Sequence, residues 1–172
     1  MRILHTADWH IGKSWKGVDR LPDLMGHIVP EIVEIALSEK VDLFLLAGDV
    51  FDGFNQQSLN LCRDLLSNPL KLLLQAGVSV AMIPGNHDSF PMFRLLDAAL
   101  RISPFDNKAQ LMLFTKPDVK TLNGLQIMAM PYLSLRNFNR VLTSSKTELP
   151  LEKDLHNQAL SNQYEMVLQT LK

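Results

Sequence analysis

Three apolar runs, each closing on a cluster of acidic, amide or imidazole side chains, constrain this chain more than any other feature. Ile3 and Leu4 lead into Asp8 and His10. The run 41–47 (VDLFLLA) ends at Gly48 and leads to Asp49 and Asp52. The run 78–83 ends at Pro84 and Gly85 and leads to Asn86, His87 and Asp88. The second and third runs are short, continuous and apolar, the pattern of strands buried on both faces. Between the runs, 21–40 and 56–75 carry Leu, Ile and Val at helical spacing, so the order is strand, helix, strand, helix, strand. That order predicts an α/β fold with a parallel sheet and right-handed crossovers. Ligands of open α/β sheets collect outside the carboxyl ends of the strands, so the three clusters are expected to converge on one edge.

The second half reads differently. Segments 110–115, 119–122 and 125–130 are short strand candidates, and Asn123-Gly124 is a strong hairpin signal, so this part is expected to be antiparallel. Segments 133–142 and 151–171 read as helices. The last reaches the end of the sequence without a capping glycine, so the sequence reads as cut rather than finished. No repeat, low-complexity tract or linker divides the 172 residues, which therefore form one domain or part of one.

Composition excludes more than it selects. A net charge of −1 provides no overall basic field, so any contact with nucleic acid must be local. Cys62 is the only cysteine, which rules out an internal disulfide and a cysteine-rich zinc site and fits the cytoplasm. The opening MRILHTADWH lacks the apolar core of a signal peptide, and no run approaches the roughly 18 apolar residues of a membrane span.

Carboxylate oxygens and imidazole nitrogens together hold divalent manganese, iron or zinc. Two such ions about 3.5 to 4 Å apart share an anionic ligand and stabilise both the attacking and the leaving oxygen of a displacement at phosphorus. Asp49, central among the clusters, is the candidate bridge. Gly48 and Gly85 allow sharp turns that bring ligands close, and Pro84 stiffens the approach. Each residue also has a plainer reading. Asp and Asn cap helices after strands, and Asp52 and Asp88 fit turn or cap positions as well as functional ones. His5 reads as a core histidine of the first strand and His27 as a helix-surface residue. Lys13, Lys16 and Arg20, with Trp9 and Trp15 beside them, fit a phosphate-contacting surface or a solvated loop. Leu59, Leu65, Leu66 and Leu70 form a core or dimer-facing stripe, with Cys62 as a small apolar filler.

DWHIG at 8–12, GDVFD at 48–52 and GNHD at 85–88, in that order, resemble the first three motifs of the calcineurin-like metallophosphoesterases. Within that superfamily MRILHTADWHIG, AGDVFD and the later MPYL at 130–133 look like the SbcD-type DNA double-strand-break repair exonucleases. The resemblance extends to about Leu133. It implies a four-layer αββα sandwich, of which this chain holds an incomplete front portion: a parallel βαβαβ half followed by antiparallel strands. It also implies two divalent ions, manganese foremost. Asp8, His10 and Asp49 would bind the first, and Asp49 would bridge to a second that also takes Asn86. His87 would face the scissile phosphate as general acid, oriented by Asp52. The family completes its site with a further histidine and a His-x-His pair, which this sequence lacks. His156 is the one histidine after His87 and sits in a predicted helix among polar residues, so it is not expected to ligate. Residues 1–172 are thus expected to be the N-terminal part of one nuclease domain.

Three functions follow from these readings. The first is manganese-dependent hydrolysis of DNA phosphodiesters, exonucleolytic or endonucleolytic, in double-strand-break repair, with an SbcC-like ATPase as partner and a homodimer as the assembly. The second is a metallophosphoesterase acting on nucleotides or phosphoproteins, since the metal chemistry does not depend on what the phosphate carries. The third is a catalytically inactive partial domain with a dimerisation role. With three ligands for one ion and two for the other, both ions would bind poorly.

Overall fold

A computed structural model of the chain describes residues 1–19, 23–53, 61–101 and 108–132, together with 161, 162, 165 and 169. Leu59, His156 and most of both C-terminal predicted helices lie outside the described residues. Two compact units are present, Met1–Thr115 and Lys116–Lys172.

The first unit is built on a four-stranded sheet. In chain order its elements are β1 (Ile3–Thr6), the two-residue strands β2 (Ser14–Trp15) and β3 (Val18–Asp19), and α1 (Val29–Ser38). They are followed by β4 (Leu43–Ala47), α2 (Asn68–Gln75), β5 (Ser79–Ile83), α3 (Phe90–Arg101) and β6 (Leu111–Leu113). The sheet order is β1-β4-β5-β6, and every pair is parallel. The expected βαβαβ front half is therefore present. One expectation is corrected: β6, assigned from sequence to the antiparallel part, is a fourth parallel strand. The reason is α3, which sequence periodicity did not mark. A parallel return needs a crossover of a dozen or more residues, and α3 supplies it. Pro91 in its first turn is the signal that was available.

Register places Leu4, Phe44, Val80 and Leu111 in one row and Thr6, Leu46, Met82 and Leu113 in another row of the same face. Val33 and Ala36 of α1 and Leu70, Leu73 and Leu74 of α2 join this face in one core cluster. Leu65, Leu66 and Leu70 are fully buried there, so the leucine stripe is core and not an exposed dimer face. β4 and β5 are buried on both faces, as continuous apolar runs require. β1 behaves otherwise: it has a single described neighbour, and its Ile3 and His5 are exposed. The expectation of a core His5 is thus overturned, because His5 points to the face opposite the cluster. His27 is exposed, as expected.

The first two crossover helices open irregularly for the same reason. A π-helical turn, Leu24–Ile28 before α1 and Arg63–Ser67 before α2, precedes a proline in the first helical turn, Pro30 or Pro69. Proline has no N–H, and its ring crowds the carbonyl four residues back, which widens the preceding turn. Both helices end alike, with a left-handed residue, Lys40 or Gly77, and the 6→1 bonds Val41 N–H to Ala36 O and Val78 N–H to Leu73 O, each 3.0 Å.

In the second unit β7 (Asp118–Leu122) and β8 (Leu125–Ala129) form the antiparallel hairpin expected from Asn123-Gly124. Both turn residues have positive φ, 48° and 84°, the backbone of a type I′ turn. Among the described residues no helix is long and apolar enough to cross a membrane.

Candidate metal centre

The loops after β1 and β4 continue the pairing of their strands beyond the sheet. Asp8 N–H donates to Gly48 O (3.0 Å), His10 N–H to Asp49 O (2.9 Å), Ile11 N–H to Val50 O (2.9 Å) and Asp52 N–H to Ile11 O (3.1 Å). Asp8, His10 and Asp49 all have left-handed backbone, with φ of 57°, 46° and 49°. Such a conformation is costly for a residue with a Cβ and persists where surrounding bonds hold it. Here the inter-loop rungs do so, with Ile11 and Phe51 anchored in the core at 0% exposure.

The third loop, 84–88, packs backbone against backbone on the second. A Cβ on Gly48 would stand 3.0 Å from Gly85 Cα, and a Cβ on Gly85 would overlap the Asp49 backbone nitrogen and Oδ1. The close approach expected of these two glycines is therefore a fact of the structure. Through it, Asp49 Oδ1 accepts the His87 N–H at 3.0 Å. Asp49 Oδ2 then faces His10, 3.7 Å from its Nε2.

His10, Asp49 and His87 can each offer one ligand atom within 4.8 Å of the others. Asp8 stands at the rim, exposed, with Oδ1 3.9 Å from His10 Nε2. Asn86 is exposed beside His87 on the same loop. The donor set suits a divalent cation. Asp49, only 8% exposed, shares this edge with the half-buried Asp52 and the buried Asp88, and carboxylates withdrawn from water need compensating positive charge or hydrogen-bond donors.

Asp52 is placed between the two imidazoles. Its Oδ1 lies 3.2 Å from Nδ1 of His10 and 3.2 Å from Nδ1 of His87, and the rings meet edge to face at 4.8 Å. Each ring is left with Nε2 for other work. The Lys13 ammonium is 3.5 Å from the same Asp52 oxygen, so it is engaged inside the site. Lys16 is exposed at the tip of the β2–β3 hairpin, where Lys16 and Gly17 have φ of 49° and 79°. Arg20 lies outside the described residues. Trp9 departs from expectation: it is core, 4% exposed, with its indole N–H on Thr6 Oγ1 (3.0 Å) and its ring edge-on to Phe44. The alternation that turns Asp8 and His10 outward turns Trp9 and Ile11 inward.

From sequence, Asp88 fits a turn residue as well as a functional one. It is buried, with Oδ2 accepting N–H bonds from Val50 (3.1 Å) and Gly85 (2.8 Å) and Oδ1 from Phe51 (2.8 Å). Burial pushes its carboxyl above the ordinary value, the three N–H donors pull it down, and the nearby Asp49 carboxylate adds a further upward push.

A three-loop site of carboxylates and imidazoles at the carboxyl edge of a parallel sheet defines a class, and the family comparison agrees with it. The calcineurin-like phosphoesterase model matches residues 1–165, and the chain belongs to that family. Among curated relatives, the SbcD component of nuclease SbcCD from Bacillus subtilis is 31% identical over 157 residues, 86% of this chain and 38% of the relative. The protein of that name from Rhodobacter capsulatus is 39% identical over 103 residues, 59% of this chain and 25% of its own length. The one from Escherichia coli K12 is 36% identical over 89 residues, 52% of this chain and 22% of its own length. The chain thus spans well under half the length of these relatives.

Proposed function

We propose that this chain carries the first part of a two-metal nuclease site that hydrolyses DNA phosphodiesters in double-strand-break repair. The observation that carries the reading is the convergence of His10, Asp49 and His87, with Asp8 and Asn86 beside them, in a chain similar to the SbcD components of SbcCD nucleases. Asp8, His10 and Asp49 would hold one ion, and Asp49 together with Asn86 would hold a second. Manganese suits this mixture of oxygen and nitrogen donors. When bound, the ions supply an activated water and charge stabilisation at phosphorus.

The protein's own groups do the rest. Asp52 accepts the Nδ1–H of His10 and fixes the ring with Nε2 toward the ion, as partners beyond the coordination shell commonly do. It holds His87 in the same way, so that His87 Nε2 delivers a proton to the leaving oxygen as the P–O bond breaks. Lys13 steadies the Asp52 carboxylate, and Lys16 on the hairpin meets a DNA phosphate, aided by Arg20. A cytoplasmic setting, an SbcC-like ATPase partner and a homodimer belong to the same proposal. Exposed Ile35, Leu37, Leu72 and Leu95 on the helices provide apolar surface for self-association.

The test is a substrate panel with the full-length protein and manganese: linear duplex DNA, an oligonucleotide and nitrophenyl phosphate. Cleavage of DNA is expected, while turnover of the nitrophenyl monoester with DNA left intact would favour an enzyme of nucleotides or phosphoproteins.

A further inference from the structure

We propose that Asp88 is a positioning residue that sets the spacing between the Asp49 loop and the Asn86–His87 loop, and so the reach of the groups those loops present to metal and phosphate. The inference rests on the ligand assignment proposed above. These two loops follow different strands, and the seam between them is made by exchanged carboxylates. Asp49, on the second loop, accepts the His87 N–H of the third. Asp88, on the third, accepts the Val50 and Phe51 N–H groups of the second while its Oδ2 also accepts the Gly85 N–H of its own loop. Each carboxylate is therefore fixed on the other loop's backbone.

At 7% exposure Asp88 has lost most of its water, and its three N–H donors replace it. The close packing of Gly48 on Gly85 leaves little room for the seam to re-form at another distance. The seam between the first and second loops is built differently, from the amide–carbonyl rungs of Asp8, His10 and Ile11, none of which involves Asp88. Loss of the Asp88 carboxylate should loosen one seam and spare the other.

The test is amide hydrogen exchange and manganese calorimetry on the full-length protein and its Asp88→Asn variant, which turns one acceptor oxygen into an N–H₂ donor facing N–H donors. The expected result is exchange about tenfold faster or more at Gly85 and His87, unchanged exchange at Asp8, His10 and Ile11, and manganese affinity weaker by roughly 10–100-fold. Uniform acceleration at all of these amides would make Asp88 a contributor to general stability and overturn the proposal, as would unchanged exchange or unchanged affinity. Should the variant not fold, the wild-type protein decides: Val50, Phe51 and Gly85 amides protected as well as that of Ile11 support the brace, and free exchange there overturns it. Failure of the wild-type protein to bind manganese would instead remove the ligand assignment, with the brace still judged by exchange.

Discussion

The helix-covered layer and the loop edge of the same sheet are held together by different physics. Under α1 and α2 the cohesion is apolar volume: Phe44, Leu66, Leu73 and Leu74 are completely buried and make no polar demands. At the edge, a few ångströms further along the same strands, cohesion comes from amide rungs, exchanged carboxylates and three left-handed residues with side chains. The layer provides stability, and the edge uses some of it to hold strained backbone and crowded negative charge. Substitutions in the two regions should therefore fail in different ways.

The largest effect is expected from Asp49→Ala. If Asp49 is the proposed bridging ligand, the proposed DNA hydrolysis should drop roughly 10⁴-fold in the variant, about 5 kcal/mol of transition-state stabilisation. Its chemical denaturation midpoint should shift far less than that of Phe44→Ala, because relief of a buried charge offsets loss of the acceptor of the His87 N–H; steady-state rates and a denaturation curve check both. Phe44→Ala should do the opposite. It should cost about 3–4 kcal/mol of stability through the cavity it leaves, with turnover per folded molecule close to wild type. Equal damage to both properties in either variant would break the contrast between the regions.

Asp52→Asn sharpens the comparison within the edge itself. On the proposed role of His87 as proton donor, it should lower kcat about 100-fold with KM little changed, because the imidazole loses the carboxylate that holds it while the phosphate contacts remain. A change confined to KM would show Asp52 acting on substrate binding instead. The smallest effect belongs to Lys16→Ala. Removing one exposed cation at the hairpin tip should weaken DNA binding equally across sequences and reduce the slope of log affinity against log salt by about 1, measured by fluorescence anisotropy.

The two regions were also unequally legible. Apolar periodicity marked β4, β5 and the helices before them, because buried strands and helix stripes are written in residue type alone. The loops at the strand ends were legible as motifs: Asp8, His10, Asp49, Asn86 and His87 follow strand ends in an order that packing does not demand. The work of Asp88 was not, since its partners are backbone N–H groups of Val50 and Phe51, which any sequence would supply. The direction of β6 was hidden behind α3, whose apolar pattern was not separated from the strand that follows it. Trp9 and His5 were each placed on the wrong side. Which side of a strand or its outgoing loop meets the helices depends on register, and β1, with β4 as its one described neighbour, offers no continuous apolar run to reveal it.

The central claim, that three strand-end loops build a divalent-metal site around Asp49, is most directly tested by titrating manganese calorimetrically into the wild-type protein, Asp49→Ala and Phe44→Ala. Binding that is lost in Asp49→Ala and kept within a few-fold in folded Phe44→Ala is the predicted result; manganese binding by Asp49→Ala with wild-type affinity and stoichiometry would contradict it.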